Sequence, residues 1–158
     1  MSVIAYHLTW TTYGTWLPGD ARGWVKWGEV GVKPADPERE RDARERMVES
    51  AVAFTEDQRT VVEQTIRDHC QIRGWLLHAV NVRSNHIHVV VTADRDPADV
   101  MNQFKAWCSR KLSDAAGLVG SVAKKAGRRH WFTEGGNKEL IDTEEYLANA
   151  ITYVLERQ

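Results

Sequence analysis

The stretch SNHIHVVVTA, Ser84 to Ala93, decides the fold. Its β-branched density suits the pleated, half-buried surface of a strand, so His86 to Thr92 reads as one. Alternate residues of a strand face opposite sides of the sheet. Ile87, Val89 and Val91 therefore make an apolar face that must pack on a helical layer. His86 and His88 share the other face, with their Cα atoms roughly 6.7 Å apart at the usual strand rise.

Working outward, Trp75 to Val82 reads as a second strand, joined to the first through the turn Arg83-Ser84-Asn85. Upstream, Thr55 and Gln58 have capping-box spacing, and Val61, Val62, Ile66 and Cys70 follow at helical intervals. Downstream, Asp96-Pro97-Ala98-Asp99 opens another helix: Asp96 is the expected N-cap, and Val100, Phe104, Trp107, Cys108 and Leu112 the expected buried stripe. Val3 to Thr12 alternates as a strand. Gly117 to Gly127 reads as loop, Arg129 to Ile141 as short strand material around Gly135-Gly136, and Asp142-Thr143 as the start of a last helix with Leu147, Ala150, Ile151 and Val154 inward. The order is strand, helix, strand, strand, helix, strand, helix. Its first six elements match an α+β, ferredoxin-like split βαβ sandwich. In that topology the first and third strands are central neighbours, which puts the histidines mid-sheet and makes His7 a possible outer neighbour.

The 158 residues read as one domain, 1–158, interrupted by a charged insert at about 20–53. Within it YGTWLPGDARGW is loop, and PERERDARERMVES from Pro37 reads as a solvated helix or an excursion. With 42% apolar and 27% charged residues and no apolar run of membrane-spanning length, the expectation is a cytoplasmic protein without a membrane partner. Cys70 and Cys108 lack metal-type spacing and read as small buried hydrophobes. The net charge of −1 excludes a broadly basic surface, so any nucleic-acid contact must be a local patch.

Two imidazoles on one strand face can converge on a divalent cation such as Mn, Fe, Co, Ni or Zn, and phosphate chemistry adds Mg. Ligation needs neutral rings, so affinity should fall below roughly pH 6.5. By itself the pair is a weak signal and reads first as two hydrogen-bonded strand histidines. The last helix adds Tyr153, which lies beside the apolar stripe with Tyr146, Asn149 and Arg157 on a helical wheel.

Together, His86-Ile87-His88 and a tyrosine on a terminal helix resemble the HUH nucleases. The chain is similar to the single-tyrosine transposases, above all the REP-associated tyrosine transposase branch. The stretches AYHLTWTTYGTWLPGD, VRSNHIHVVV, MNQFKAWCSRKL, HWFTEGG and EEYLANAITYVLERQ carry the likeness, which covers nearly all of the chain outside Pro37 to Ser50. The resemblance implies that His86 and His88 hold Mg²⁺ or Mn²⁺ against a scissile phosphate in single-stranded or hairpin DNA. It implies that Tyr153 attacks to leave a 5′-phosphotyrosine and a free 3′-hydroxyl, conserving the bond energy for strand transfer. Family members commonly complete the metal site with an amide four residues after the tyrosine. That position is Arg157 here, and Gln158 follows as the candidate third ligand. An absent ligand would instead favour a non-enzymatic single-strand or hairpin-binding module.

Candidate DNA contacts are Arg83 and Asn85 beside the histidines, Lys105, Arg110 and Lys111 on the helix after Pro97, Arg128 and Arg129 before the last strand, and Arg157. Trp10, Trp16 and Trp131 are candidates for base stacking, with packing roles as the alternative. Related transposases act as dimers or monomers, and both states stay open.

Overall fold

Strand pairing organises the molecule around the histidine strand. In the computed structural model, which describes residues 2–26, 28–117 and 130–156, β1 (Ala5–Thr11), β2 (Leu76–Val82), β3 (His86–Thr92) and β4 (Asn137–Ile141) form one sheet in the order β2-β3-β1-β4. Every neighbouring pair is antiparallel. The helices are α1 (Pro37–Glu45), α2 (Glu56–Arg73), α3 (Pro97–Ala115) and α4 (Glu144–Glu156). This is the expected ferredoxin-like α+β sandwich with an added terminal helix.

The period-two split of β3 sets the layers. Ile87, Val89 and Val91 join Leu8, Trp10, Val80 and Val82 in a core with α2 and α3, through Val62, Ile66, Phe104 and Leu112. Val90 faces the other way, with Ala5, Ala79 and Ile141, and is covered by Ala150 and Val154 of α4. Strand β2 reaches this arrangement through a register shift between Leu77 and Ala79. The extra residue, His78, reverses the alternation so that Leu77, Val80 and Val82 all meet the larger core.

Local signals explain the helix bounds. The Thr55 hydroxyl accepts from Gln58 N at 3.2 Å while Gln58 Oε1 accepts from Thr55 N at 2.9 Å, the expected capping box. Helix α2 ends at Gly74, whose φ of 71° is left-handed. Asp96 stands at the N-cap of α3 but its side chain makes no capping bond, so Pro97 and the acid Asp99 supply the start signal. Trp107 also departs from expectation. It is 39% exposed at the edge of the stripe, under the Arg110 guanidinium 4.7 Å from its ring, whereas Met101, which the stripe did not include, is buried. The charged run forms α1 with no buried residue, capped by Asp36. Both cysteines are buried and free. Among the described residues no helix is long and apolar enough to cross a membrane.

Candidate active site

The site lies on the sheet face that α4 only partly covers. Register builds it: Thr9 pairs with His88 and Thr11 with His86 across β1 and β3, and His7 pairs with Glu139 across β1 and β4. All of these side chains share the α4 side. Asn81 Nδ2 donates to the Val154 carbonyl at 2.9 Å and ties the end of α4 to β2. That tie sets Tyr153 over the histidines, its ring centroid 5.8 Å from His88 and 6.0 Å from His7. Between sheet and helix is an open cleft of about 730 Å³, lined among others by His7, Thr9, His88, Glu139, Asn149 and Tyr153.

The two motif histidines stand 5.2 Å apart between ring centroids, nearly perpendicular at 81°. Each commits one nitrogen to the protein. His86 Nδ1 shares a 2.8 Å hydrogen bond with Asn85 Oδ1. His88 Nδ1 lies 3.1 Å from His7 Nε2 and 3.1 Å from Thr9 Oγ1. On the far side of His7, Nδ1 faces Glu139 Oε2 at 3.6 Å, an electrostatic contact beyond hydrogen-bond length. The Tyr146 hydroxyl donates to the same carboxylate oxygen at 2.9 Å.

Burial governs the charges. It pushes His88 down to about 4, helped by His7, His86 and Arg83. His86 is lowered by burial and then by Arg83. Burial also lowers His7, against the opposing pull of Glu139. Neutral imidazoles at physiological pH are the ligating form. The bond to Glu139 is the main cause that raises the Tyr146 phenol above its ordinary range.

The family resemblance implies a divalent metal, and the donors fit one in part. Neither His86 Nε2 nor His88 Nε2 takes a hydrogen bond among the described residues, while each Nδ1 is engaged. This is the arrangement in which a second partner orients a ligating ring. No group of three or more His, Cys, Asp or Glu side chains able to hold an ion occurs among the described residues. A third protein donor must then be an amide, a hydroxyl or a residue outside that set. The candidate third ligand Gln158, with Arg157, lies outside the described residues, as do Arg128 and Arg129.

The other sequence candidates divide by layer. Arg83 stays beside the site, its charge felt by both motif histidines. Asn85 is there too, holding His86. Lys105, Arg110 and Lys111 sit on α3, whose buried side packs on the opposite face of the sheet. The Lys105 ammonium donates to the Thr133 carbonyl at 2.8 Å and to that of Gly135, and burial lowers its pKa to about 8, which leaves it charged at neutral pH. Trp10 and Trp131 are core residues, Trp10 stacked on Phe104 and Trp131 donating to Ser113 Oγ at 3.0 Å. Trp16 is exposed, but Arg22 covers its ring at 3.9 Å.

Sequence reasoning did not find Glu139, Thr9 or the Tyr146 contact. The available signal was pairing: once β1 neighbours both β3 and β4, odd-numbered residues of β1 and β4 must share the histidine face.

Comparison with known proteins bears on the fold and the family. No curated protein matches the chain. Among solved structures, a REP-associated tyrosine transposase bound to a REP hairpin superposes with a TM-score of 0.53 at 12% identity, over 98% of this chain and 66% of that one. A candidate transposase from Deinococcus radiodurans R1 matches with a TM-score of 0.48 at 15% identity, over 98% of this chain and 90% of its own. At 12% identity the likeness to the first is one of fold. The family model described as "Transposase IS200 like" matches residues 47–150, which hold the histidine strand and most of the sheet. The chain belongs to the IS200-like transposase family of DNA-processing proteins.

Proposed function

We propose that the protein nicks single-stranded or hairpin DNA and transfers the strand through a 5′-phosphotyrosine on Tyr153, with Mg²⁺ or Mn²⁺ held by His86, His88 and Gln158. The observation that carries this reading is the placement of Tyr153, 46% exposed, with its ring 5.8 Å from that of His88 across an open cleft. A phosphodiester entering that cleft meets the Tyr153 phenol on one side and the neutral imidazoles of His88 and His7 on the other. A bound divalent ion would draw electron density from the phosphoryl oxygens and stabilise the charge that develops there.

The chain's own part is positioning. The Asn81–Val154 tie holds α4 so that Tyr153 Oη can attack phosphorus; the P–Oη bond forms as the P–O3′ bond breaks, releasing a 3′-hydroxyl. Reversal with a second 3′-hydroxyl joins a new strand, because the phosphotyrosine keeps the energy of the diester. Among the described residues, Arg83 has its charge felt by both motif histidines, which makes it a candidate contact for the DNA backbone near the reacting phosphate. The α3 set would hold DNA remote from it. The REP hairpin bound by the similar transposase motivates hairpin DNA as the first substrate to test.

The second reading is a hairpin-binding module with an impaired metal site. It is favoured by the lack of a third His, Cys, Asp or Glu donor among the described residues. Mixing the protein with labelled hairpin DNA and Mn²⁺ on denaturing gels separates the two. A covalent protein–DNA band supports the transposase reading; a mobility shift seen only on native gels supports the binder.

A further inference from the structure

The geometry points to His7 and Glu139 as positioning residues that fix the proton of His88 on Nδ1 and leave its Nε2 as the bare acceptor. This inference rests on the proposed role of His88 as a ligand and extends it to the residues behind that ring. Two ring nitrogens 3.1 Å apart, His7 Nε2 and His88 Nδ1, share a hydrogen bond only if one carries a proton and the other does not. Which one is not set by that pair alone. Thr9 does not set it either, since its hydroxyl at 3.1 Å can accept from His88 Nδ1 or donate to it.

Glu139 breaks the symmetry. Its Oε2 stands 3.6 Å from His7 Nδ1, inside a region where His7 is only 7% exposed. A proton on His7 Nδ1 faces the carboxylate favourably, whereas a lone pair there would face it with repulsion. With its single proton on Nδ1, a neutral His7 presents a bare Nε2. His88 must then donate from Nδ1, and its remaining nitrogen, Nε2, is the one free to bind. Tyr146 contributes from the other side: its 2.9 Å bond keeps the carboxylate oriented and leaves it an acceptor. The order Tyr146, Glu139, His7, His88 thus runs inward from α4 and β4 through β1 to the motif strand. His86 reaches the same tautomer by a shorter route, through Asn85 Oδ1 at 2.8 Å.

The tautomer can be read directly by nitrogen NMR of ¹⁵N-histidine-labelled, metal-free protein, with His88 assigned by difference against His88→Gln. The expected result is Nδ1–H for His88 in the unaltered chain. Glu139→Gln, nearly isosteric and still able to accept from Tyr146, should let His88 populate both tautomers, and Mn²⁺ affinity by calorimetry should fall roughly tenfold. His7→Ala should do at least as much. An Nε2–H His88 in the unaltered chain overturns the inference, as does a tautomer that Glu139→Gln leaves unmoved. If His88 has the expected tautomer and Glu139→Gln shifts it, yet Mn²⁺ binds neither the unaltered chain nor any variant, the positioning chain stands and the metal-ligand reading fails.

Discussion

The Tyr146 hydroxyl donates to Glu139 Oε2 at 2.9 Å, and that bond separates the two tyrosines of α4. They are seven residues apart, two helical turns, so sequence alone puts both on a similar side. The structure gives Tyr146 a carboxylate partner that holds its proton in place, and leaves Tyr153 above His88 and His7.

Tyr153→Phe should therefore abolish the covalent protein–DNA adduct with hairpin affinity within about twofold, since one hydroxyl is lost with little packing volume. Tyr146→Phe should still form the adduct, at a reduced rate, because it frees the Glu139 carboxylate without removing the nucleophile. Denaturing gels with Mn²⁺ and titration of labelled hairpin read both quantities. An adduct in Tyr153→Phe that is missing from Tyr146→Phe would reverse the assignment.

Acid should weaken the folded state through the same histidines. His88 titrates at about 4 when folded against 6.5 for the free side chain. Between those values the unfolded chain binds a proton that the folded chain refuses, so the contribution is complete above about pH 6.5 and is lost as pH falls toward 4. His7 and His86 are shifted in the same direction. Urea unfolding of metal-free protein should show a loss of ~2 kcal/mol attributable to His88 between pH 7 and pH 5. In His88→Gln that slope should be visibly flatter. An unchanged slope would mean that His88 is not held neutral by its surroundings. The expectation that metal affinity fails below roughly pH 6.5 moves to lower pH for the same reason.

Much of this was legible because β3 carries its own instructions. The alternation of Ile87, Val89 and Val91 with His86 and His88 dictates which face meets α2 and α3, and the histidines follow without further information. The Thr55–Gln58 box and the inward set of α4 were equally local. What stayed hidden depended on tertiary register. Glu139 meets His7 only through the β1–β4 pairing, and β4 is five residues long with an exposed start, too short for periodicity to place. Trp107 misled because a large apolar side chain at the edge of a helical stripe looks like core, although Arg110 can cover its ring at the surface. The α3 cations were legible as charges, and the alternation of β3 already put their helix opposite the histidines; what stayed hidden was the hold of Lys105 on the Thr133 and Gly135 carbonyls.

That layering makes the cations separable. Arg83 adjoins the histidines, whereas Arg110 and Lys111 lie on exposed positions of α3 in the opposite layer. Arg83→Ala should slow adduct formation by about tenfold even when hairpin is saturating, as expected for a contact close to the reacting phosphate. An Arg110→Ala, Lys111→Ala double variant should leave that saturated rate unchanged. Any effect it has should appear as weaker hairpin binding with a shallower salt dependence. Single-turnover assays at several hairpin concentrations distinguish the two. A slowed saturated rate in the α3 variant would contradict the separation of layers.

Gly136 and Gly135 offer a test of how tightly the strand beneath His88 is held. Both have positive φ, 152° and 74°. A Cβ on Gly136 would lie 2.6 Å from the Thr9 carbonyl oxygen and 2.8 Å from the end of Met101, whereas one on Gly135 would meet nothing within 4 Å. Gly135→Ala thus carries only the backbone penalty, about 1 kcal/mol. Gly136→Ala adds a clash with backbone at Thr9, the residue whose hydroxyl sits 3.1 Å from His88 Nδ1, so its cost should be on the order of 3 kcal/mol. Urea midpoints give the two stabilities. The difference should carry into the site: Gly136→Ala shifts β1 at Thr9 and should weaken Mn²⁺ binding, while Gly135→Ala should leave it within twofold. Equal destabilisation by the two substitutions would show that the chain ahead of β4 gives way easily, and that Thr9 is not pinned from behind.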